Sequence, residues 1–174
     1  MLCGRHGSHH LSKRHLQGRR SSARRAIIMA SKIGPGKHIA VTGANRGIGL
    51  EFTRQFLGRG NKLFVGVRNP EDVKDLQTLQ QQNKGQLEIG RLDTSDTGSI
   101  KEWAHWLTGK TDHLDVLIQN AGTYGAEDLD EVTAERMMEV FNVNTIGPLI
   151  TVQQLVQAGL LGPPGSIVGT LTSK

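Results

Sequence analysis

The sequence predicts an α/β fold in which helices cover both faces of a doubly wound parallel sheet. Three observations support this prediction. From residue 38 onward, short apolar runs alternate with segments of helical periodicity. A glycine-rich turn joins the first run to the first helix, and a Gly-Pro-Pro-Gly break at 162–165 precedes the last run. Because such strand–helix–strand units cross over right-handedly, we expect the strand order 3-2-1-4-5, with a ligand crevice beside strand 1.

Five strands follow from the apolar runs. In the third run the apolar residues alternate at Leu87 and Ile89, as on a half-buried strand, and the other runs are more continuously apolar. The strands are predicted at residues 38–42, 62–67, 87–92, 114–118 and 166–171.

Four helices separate the strands. In the first, Ile48, Phe52 and Phe56 recur every four residues and form one buried stripe. Glu71 and Asp72 suit the positive end of the second helix. The helices are predicted at about 47–57, from Asn69-Pro70 onward, after a cap within 94–96, and from about 131 to 160.

The first 35 residues differ from the rest in charge. They carry eight Lys and Arg residues and no acidic residue, which leaves 13 basic residues against all 16 acidic residues in 36–174. We predict that 1–35 are a disordered extension, with Met29 as an alternative start, or an Arg- and Ser-rich transit segment for a mitochondrion or plastid. Nucleic-acid binding is a third alternative. The histidines at 6, 9 and 10 have no Cys pair or carboxylate nearby in the sequence that could complete a metal-ligand set, so no metal site is predicted.

Cysteine content and hydropathy favour a cytoplasmic protein. The single cysteine, Cys3, cannot form an internal disulfide. No apolar run approaches the roughly 18 residues that span a bilayer, so no membrane partner is expected. Residues 36–174 are long enough for one domain with a sizeable core.

The turn after the first strand is a candidate anion site. Its sequence, Thr-Gly-Ala-Asn-Arg-Gly-Ile-Gly at 42–49, joins a strand to a helix. A diphosphate needs backbone N–H groups at close range and the positive end of a helix dipole, and side chains at the glycine positions would obstruct that approach. The candidate cofactor-binding residues here are Gly43, Asn45, Arg46, Gly47, Ile48 and Gly49.

Four motifs, in order along about 38–174, resemble those of the short-chain dehydrogenase/reductase family. They are the Gly-x-x-x-Gly-x-Gly spacing, Asp93 after strand 3, Asn120-Ala121-Gly122 after strand 4, and Asn144 in Asn-Val-Asn-Thr. Val-Arg-Asn at 67–69 and Leu-Thr-Ser at 171–173 resemble the carbonyl-reductase-like or C-factor-like branch. The resemblance implies a Rossmann-like domain with Asp93 near the adenine, Asn120-Ala121-Gly122 beside the cofactor, and Asn144 in a catalytic Asn-Ser-Tyr-Lys set.

The residue after strand 2 decides the expected cofactor. An acid there would bind the ribose hydroxyls of NAD and repel a 2′-phosphate, but the residue is Arg68, and Arg46 lies in the glycine turn. Two guanidinium groups can clamp a phosphate through charge-assisted hydrogen bonds. We therefore expect NADP(H), the alternative being that both arginines are ordinary surface charges.

Pro148 supports a role for Asn144 through the backbone. Proline has no N–H, so the carbonyl of Asn144, four residues back, loses its normal helical partner, and Gly147 eases a kink. The family resemblance implies that this carbonyl holds a water of a proton relay. The alternative is a kink that only improves packing.

The resemblance also implies a catalytic serine, for which Ser173 is the best match. Its register departs from the commoner pattern by about one residue, so Thr172 stays open. The family's tyrosine, about a dozen residues beyond, and its lysine four residues later find no match. Tyr124, the only tyrosine, has Asp128 at its fourth position onward, and the sequence ends at Lys174.

The predicted function is an NADP(H)-dependent oxidoreductase that acts on a small-molecule carbonyl or alcohol. We expect the 174 residues alone to be truncated before the Tyr-x-x-x-Lys motif and to bind cofactor without turnover. The alternatives are a non-catalytic NADP(H)-binding protein, a fragment without function, and a basic-armed nucleic-acid binder, which the lack of an aromatic platform disfavours. The sequence does not decide the oligomeric state, and a homo-oligomer is one of the alternatives.

Overall fold

The computed structural model describes residues 33–126, 128–162 and 165–171. Within them, five parallel strands form one sheet in the order β3-β2-β1-β4-β5, as the sequence predicts. The strands are β1 His38–Thr42, β2 Lys62–Val67, β3 Leu87–Arg91, β4 Val116–Gln119 and β5 Ile167–Thr170. The third and fifth strands are shorter than predicted by one and two residues, and β4 begins and ends later than predicted.

The helices before β4 follow the predicted alternation, with one boundary corrected. They are α1 Gly47–Leu57, α2 Lys74–Gln82 and α3 Thr97–Thr108. The second helix does not begin at Asn69-Pro70, because the Asp72 N–H bonds to the Asn69 carbonyl and closes a turn first. The third begins after Asp96, whose carboxylate accepts from the Gly98 N–H as an N-cap.

The helix predicted at 131–160 runs from Ala134 to Gln157, so its two ends are corrected, and it contains a π-helical turn that the sequence did not predict. A Thr133 side chain that accepts from the Arg136 N–H caps a new helix, and Val132 before it is extended. Farther on, the helix widens into a π-helical turn, in which the Gly147 N–H reaches back five residues to the Asn142 carbonyl. The segments are a 3₁₀ turn Leu129–Glu131, α4 Ala134–Phe141, the π-turn Asn142–Ile146 and α5 Gly147–Gln157.

Two apolar cores lie on opposite faces of the sheet, because successive strand residues point to opposite sides. Ile39, Val41 and Leu63 pack with α1 and α2 on one face. Ala40 and Phe64, from the same strands, pack with α3 and α5 on the other. The doubly wound arrangement therefore follows from strands that are apolar on both faces. No helix in the described parts of the chain combines the length and the apolar character needed to cross a membrane.

Candidate functional site: a glycine turn at the carboxyl edge of the sheet

Gly43 begins the glycine turn, directly after β1. Its φ of +67° lies in the left-handed region, and a Cβ there would stand 2.8 Å from the Ala121 Cα. Its N–H donates to the Gly66 carbonyl of β2 at 2.8 Å. The turn therefore leaves the sheet in close backbone contact with the segment that follows β4, which only glycine allows.

Asn120 holds the turn in this position. Its Nδ2 donates to the carbonyl oxygens of Thr42 and Gly43 at 3.0 and 2.9 Å. In return, the Thr42 Oγ1 accepts the N–H groups of Asn120 and Ala121 at 3.1 and 3.0 Å. A Cβ on Gly49 would stand 2.5 Å from the Asn120 Nδ2, so this glycine lets α1 pack against the clamp. Four hydrogen bonds thus tie Thr42 and Gly43, where β1 ends and the turn begins, to the two residues directly after β4.

The amino end of α1 is open. Arg46 occupies the N-cap position without a side-chain capping bond, and the first turn of the helix contains no acidic residue. Asn45, Arg46 and Gly47 are exposed, and Ile48 is half-buried against the core. A Cβ on Gly47 would meet nothing within 4 Å. The first-turn N–H groups and the helix dipole therefore face a space that suits a diphosphate.

Arg46 and Arg68 supply positive charge beside this end of the helix. Arg68 is exposed directly after β2, as the sequence predicts. Among the described residues, neither guanidinium forms an ion pair within 4.0 Å, whereas Arg54 and Arg136 do. An anionic group that binds beside them would therefore not have to displace a close ion pair at either arginine.

Asp93 follows β3 at the same edge and is held as a carboxylate. Its partial burial raises the pKa, but hydrogen bonds from the hydroxyl and N–H of Ser95, with the charges of Arg68 and Arg91, outweigh this and hold the pKa below its ordinary value. The Asp93 N–H donates to the Ser99 Oγ at 2.9 Å. An ionised acceptor thus lies within electrostatic reach of Arg68.

Asn144 lies in the π-turn and is bound to the loop after β4. Its Nδ2 donates to the Thr123 carbonyl at 2.8 Å, and its Oδ1 accepts the Thr123 N–H at 2.9 Å. A Cβ on Gly122 would stand 3.3 Å from this Oδ1. The structure therefore brings Asn144 to Gly122 and Thr123, directly after the two residues that clamp the glycine turn.

The family comparison decides how this site is interpreted. A sequence profile of the family described as "short chain dehydrogenase" matches residues 37–173. The chain belongs to the short-chain dehydrogenase family. It is 33% identical over 138 residues to human retinol dehydrogenase 11, a match that covers 77% of this chain and 42% of the relative. It is also 27% identical to the chloroplastic chlorophyll(ide) b reductase NOL of Oryza sativa subsp. japonica. This match covers 77% of this chain and 39% of the relative.

The solved structures of two carbonyl reductases have the same fold as this chain over the matched part. An NADPH-bound carbonyl reductase from chicken fatty liver matches with a TM-score of 0.67 and 34% identity, over 74% of this chain and 51% of that one. A carbonyl reductase from Pseudomonas aeruginosa PAO1 matches with a TM-score of 0.68 and 30% identity, over 77% and 60%. The chain spans about two-fifths of the length of the two curated relatives named above.

The predicted site residues lie at the carboxyl edge of the sheet, except Ser173 and its alternative Thr172, which lie outside the described residues. Tyr124, which the sequence does not match to a site residue, is 69% exposed on the loop after β4. A π-turn, Asn142–Ile146, directly precedes Gly147-Pro148, and the kink at these two residues stays a prediction. The water on the Asn144 carbonyl stays a prediction.

Sequence reasoning missed Thr42, Ser95 and Asn142 as supports of the site. Thr42 is a polar residue that directly follows the three apolar residues 39–41 and ends β1, so its position indicated a possible role at the carboxyl edge of the sheet. Ser95 and Asn142 are joined by a hydrogen bond across 47 residues, and no local sequence pattern predicts a contact over that separation.

A second cluster of potential metal donors lies at the amino edge, away from the glycine turn. Donor atoms of His38, Asp112 and His113 lie within 4.8 Å of one another. The two imidazole rings are stacked, with centroids 4.6 Å apart and planes at 19°, so their in-plane lone pairs do not converge on one point. His38 Nδ1 pairs with Thr111 Oγ1, and His113 Nδ1 with Asp112 Oδ1, each at 2.7 Å. This cluster is best described as a hydrogen-bonded packing feature.

Proposed function

We propose that the residues at the carboxyl edge of the sheet form the NADP(H)-binding part of a short-chain dehydrogenase that interconverts a small-molecule carbonyl and alcohol. The observation that carries the proposal is the open amino end of α1, clamped by Asn120 and flanked by Arg46 and Arg68 without ion pairs. Glycine at 43 and 49 lets the turn and the start of α1 pack against Ala121 and Asn120, which holds the exposed amino end of the helix in place. The family uses NAD(H) or NADP(H), so the remaining choice is between the two.

The charges favour NADP(H). No acidic residue directly follows β2 to pair with ribose hydroxyls, and Arg68 stands there instead. Arg46 and Arg68 would hold the 2′-phosphate, the 43–49 turn the diphosphate, and Asp93 the adenine. Residues 120–122 would line the crevice. The 34% identical carbonyl reductase from chicken is bound to NADPH, which supports the same choice.

NADP(H), when bound, donates or accepts a hydride at the substrate carbon. In this proposal Asn144 holds a water through its main-chain carbonyl, and Ser173 polarises the substrate carbonyl by hydrogen bonding. Tyr124 is exposed and has Asp128 rather than lysine at its fourth position onward. We therefore propose that these residues by themselves bind cofactor without turnover, and that a non-catalytic NADP(H)-binding role is the second candidate.

The test compares two double variants of equal charge. Arg46→Ala/Arg68→Ala should weaken NADPH by about 10- to 100-fold, because two charge-assisted hydrogen bonds are lost, and NADH by less than about threefold. Arg54→Ala/Arg59→Ala changes the charge equally at the opposite end of α1 and should leave both affinities unchanged. Isothermal titration calorimetry of the full chain measures all four. Equal losses for NADPH and NADH would contradict the NADP(H) assignment.

The compartment is a separate proposal. We propose a cytoplasmic protein, with a mitochondrion or plastid as the alternative that the Arg- and Ser-rich residues 1–35 support. A fluorescent protein fused after Lys174, with and without residues 1–28, distinguishes them. Organelle signal that disappears with residues 1–28 would favour the alternative.

A further inference from the structure

The π-turn is held between two loops of the cofactor crevice. On one side, Asn142 Nδ2 donates to the Ser95 carbonyl at 2.9 Å. On the same side, Gly147 packs closely against Thr94, because a Cβ on Gly147 would stand 2.2 Å from the Thr94 carbonyl oxygen. On the other side, Asn144 makes its paired hydrogen bonds with Thr123. The loops after β3 and β4 therefore determine where the π-turn lies.

Ser95 connects this turn to Asp93. Its N–H and hydroxyl donate to the Asp93 Oδ1 at 2.9 and 2.7 Å, while its carbonyl accepts from Asn142. A continuous run of hydrogen bonds thus leads from the Asp93 carboxylate through Ser95 to Asn142, two residues before Asn144. Because Asn142 contributes a single side-chain bond, its removal breaks this run at one point and leaves the Gly147 contact in place.

We propose that Asn142 is a positioning residue that couples the adenine end of the crevice to Asn144. The inference rests on the proposed function, in which the adenine lies against Asp93. A ligand that orders the turn at 93–95 also orders the π-turn, since Asn142 holds the Ser95 carbonyl. The Asn144–Thr123 pair then opens less often. Such coupling needs no change of shape, because restricting motion at one site lowers the entropy cost of order at the other.

The experiment uses a ligand that fills only the adenine end. Adenosine 2′,5′-bisphosphate carries the adenine and the 2′-phosphate but no nicotinamide. NMR hydrogen exchange of the full chain reports on the Thr123 amide, which donates to the Asn144 Oδ1. In the unsubstituted chain, saturating ligand should slow this exchange at least about threefold, the scale of one hydrogen bond. In Asn142→Ala the ligand should still bind, but the slowing should be lost.

Matched variants separate coupling from general destabilisation. Asn83→Ala removes an amide that donates to the Leu79 carbonyl at the end of α2, and it should keep the ligand-dependent slowing. Asn142→Asp keeps the side-chain size but replaces the donor with an oxygen that repels the Ser95 carbonyl, so it should lose the slowing as Asn142→Ala does. This second variant serves if the alanine variant folds poorly. A merely structural role for Asn142 would change exchange equally with and without ligand.

The outcomes are distinguishable. Ligand-dependent slowing that persists in both Asn142 variants overturns the coupling and leaves the proposed function standing. Binding to the unsubstituted chain without any slowing at Thr123 does the same. Absence of binding to the unsubstituted chain overturns the proposed function and this inference with it.

Discussion

The glycine turn and the π-turn lie at the same edge of the sheet, but they are supported in different ways. The glycine turn follows β1, whose residues 39–42 are wholly buried, and α1 behind it buries six residues. The π-turn follows α4, which buries none, and the nearby Leu149 is 68% exposed. Packing together with the Asn120–Thr42 clamp therefore fixes the candidate diphosphate site, whereas side-chain hydrogen bonds at a largely exposed helix position Asn144. Substitutions should affect the two regions through different mechanisms.

The largest expected effect is on the free energy of unfolding, which should respond to a substitution in the buried sheet but not to one on the exposed surface of α5. Leu63→Ala removes a fully buried side chain from β2 and should lower the free energy of unfolding by about 2–5 kcal/mol, because a cavity remains. Leu149→Ala makes the same chemical change at an exposed site of α5 and should stay within about 0.5 kcal/mol. Urea denaturation followed by Trp fluorescence measures both. A loss of more than about 2 kcal/mol at Leu149 would mean that the α5 surface is enclosed in solution.

An intermediate effect should appear at the clamp of the glycine turn. Thr42→Val keeps the shape but removes the Oγ1 that accepts two N–H groups, so unfolding free energy should fall by about 2–3 kcal/mol. NADPH affinity should fall with it, since the turn loses its fixed position. Thr42→Ser keeps the hydroxyl and should retain most of both. A neutral Thr42→Val would show that the clamp contributes little.

The smallest effect concerns protonation beside the π-turn. The pKa of Asp93 is lowered in the folded chain, so the stability it contributes is present above the ordinary Asp range and is lost as the pH falls through the lowered pKa. Ser95→Ala removes one of the two donors and should raise the pKa of Asp93. A ¹³C NMR titration of the Asp93 carboxyl carbon measures the change. An unchanged pKa would mean that the hydroxyl bond is not formed in solution.

Much of the fold was predictable because strands with apolar faces must be covered on both sides. The strand order, the position of the glycine turn and the limits of β1, α1 and β2 agree with the sequence prediction. The start of α2 and the two ends of the helix predicted at 131–160 were predicted wrongly, and the π-turn inside that helix was not predicted. Asn69-Pro70 suits a turn as well as a helix start, and helical periodicity does not distinguish a regular α-helix from one that contains a five-residue π-turn.

The sequence by itself determined which residues are available at the carboxyl edge of the sheet. Glycine spacing, the arginines at 46 and 68, and Pro148 act through local backbone geometry and charge, so their consequences can be derived from neighbours in the chain. Only the tertiary structure decided how those residues are held. Asn120 reaches Gly43 across 77 residues, and Asn142 reaches Ser95 across 47. Such contacts depend on how the loops after β3 and β4 meet the helices, because hydrogen bonds between distant segments form only after packing brings the segments together.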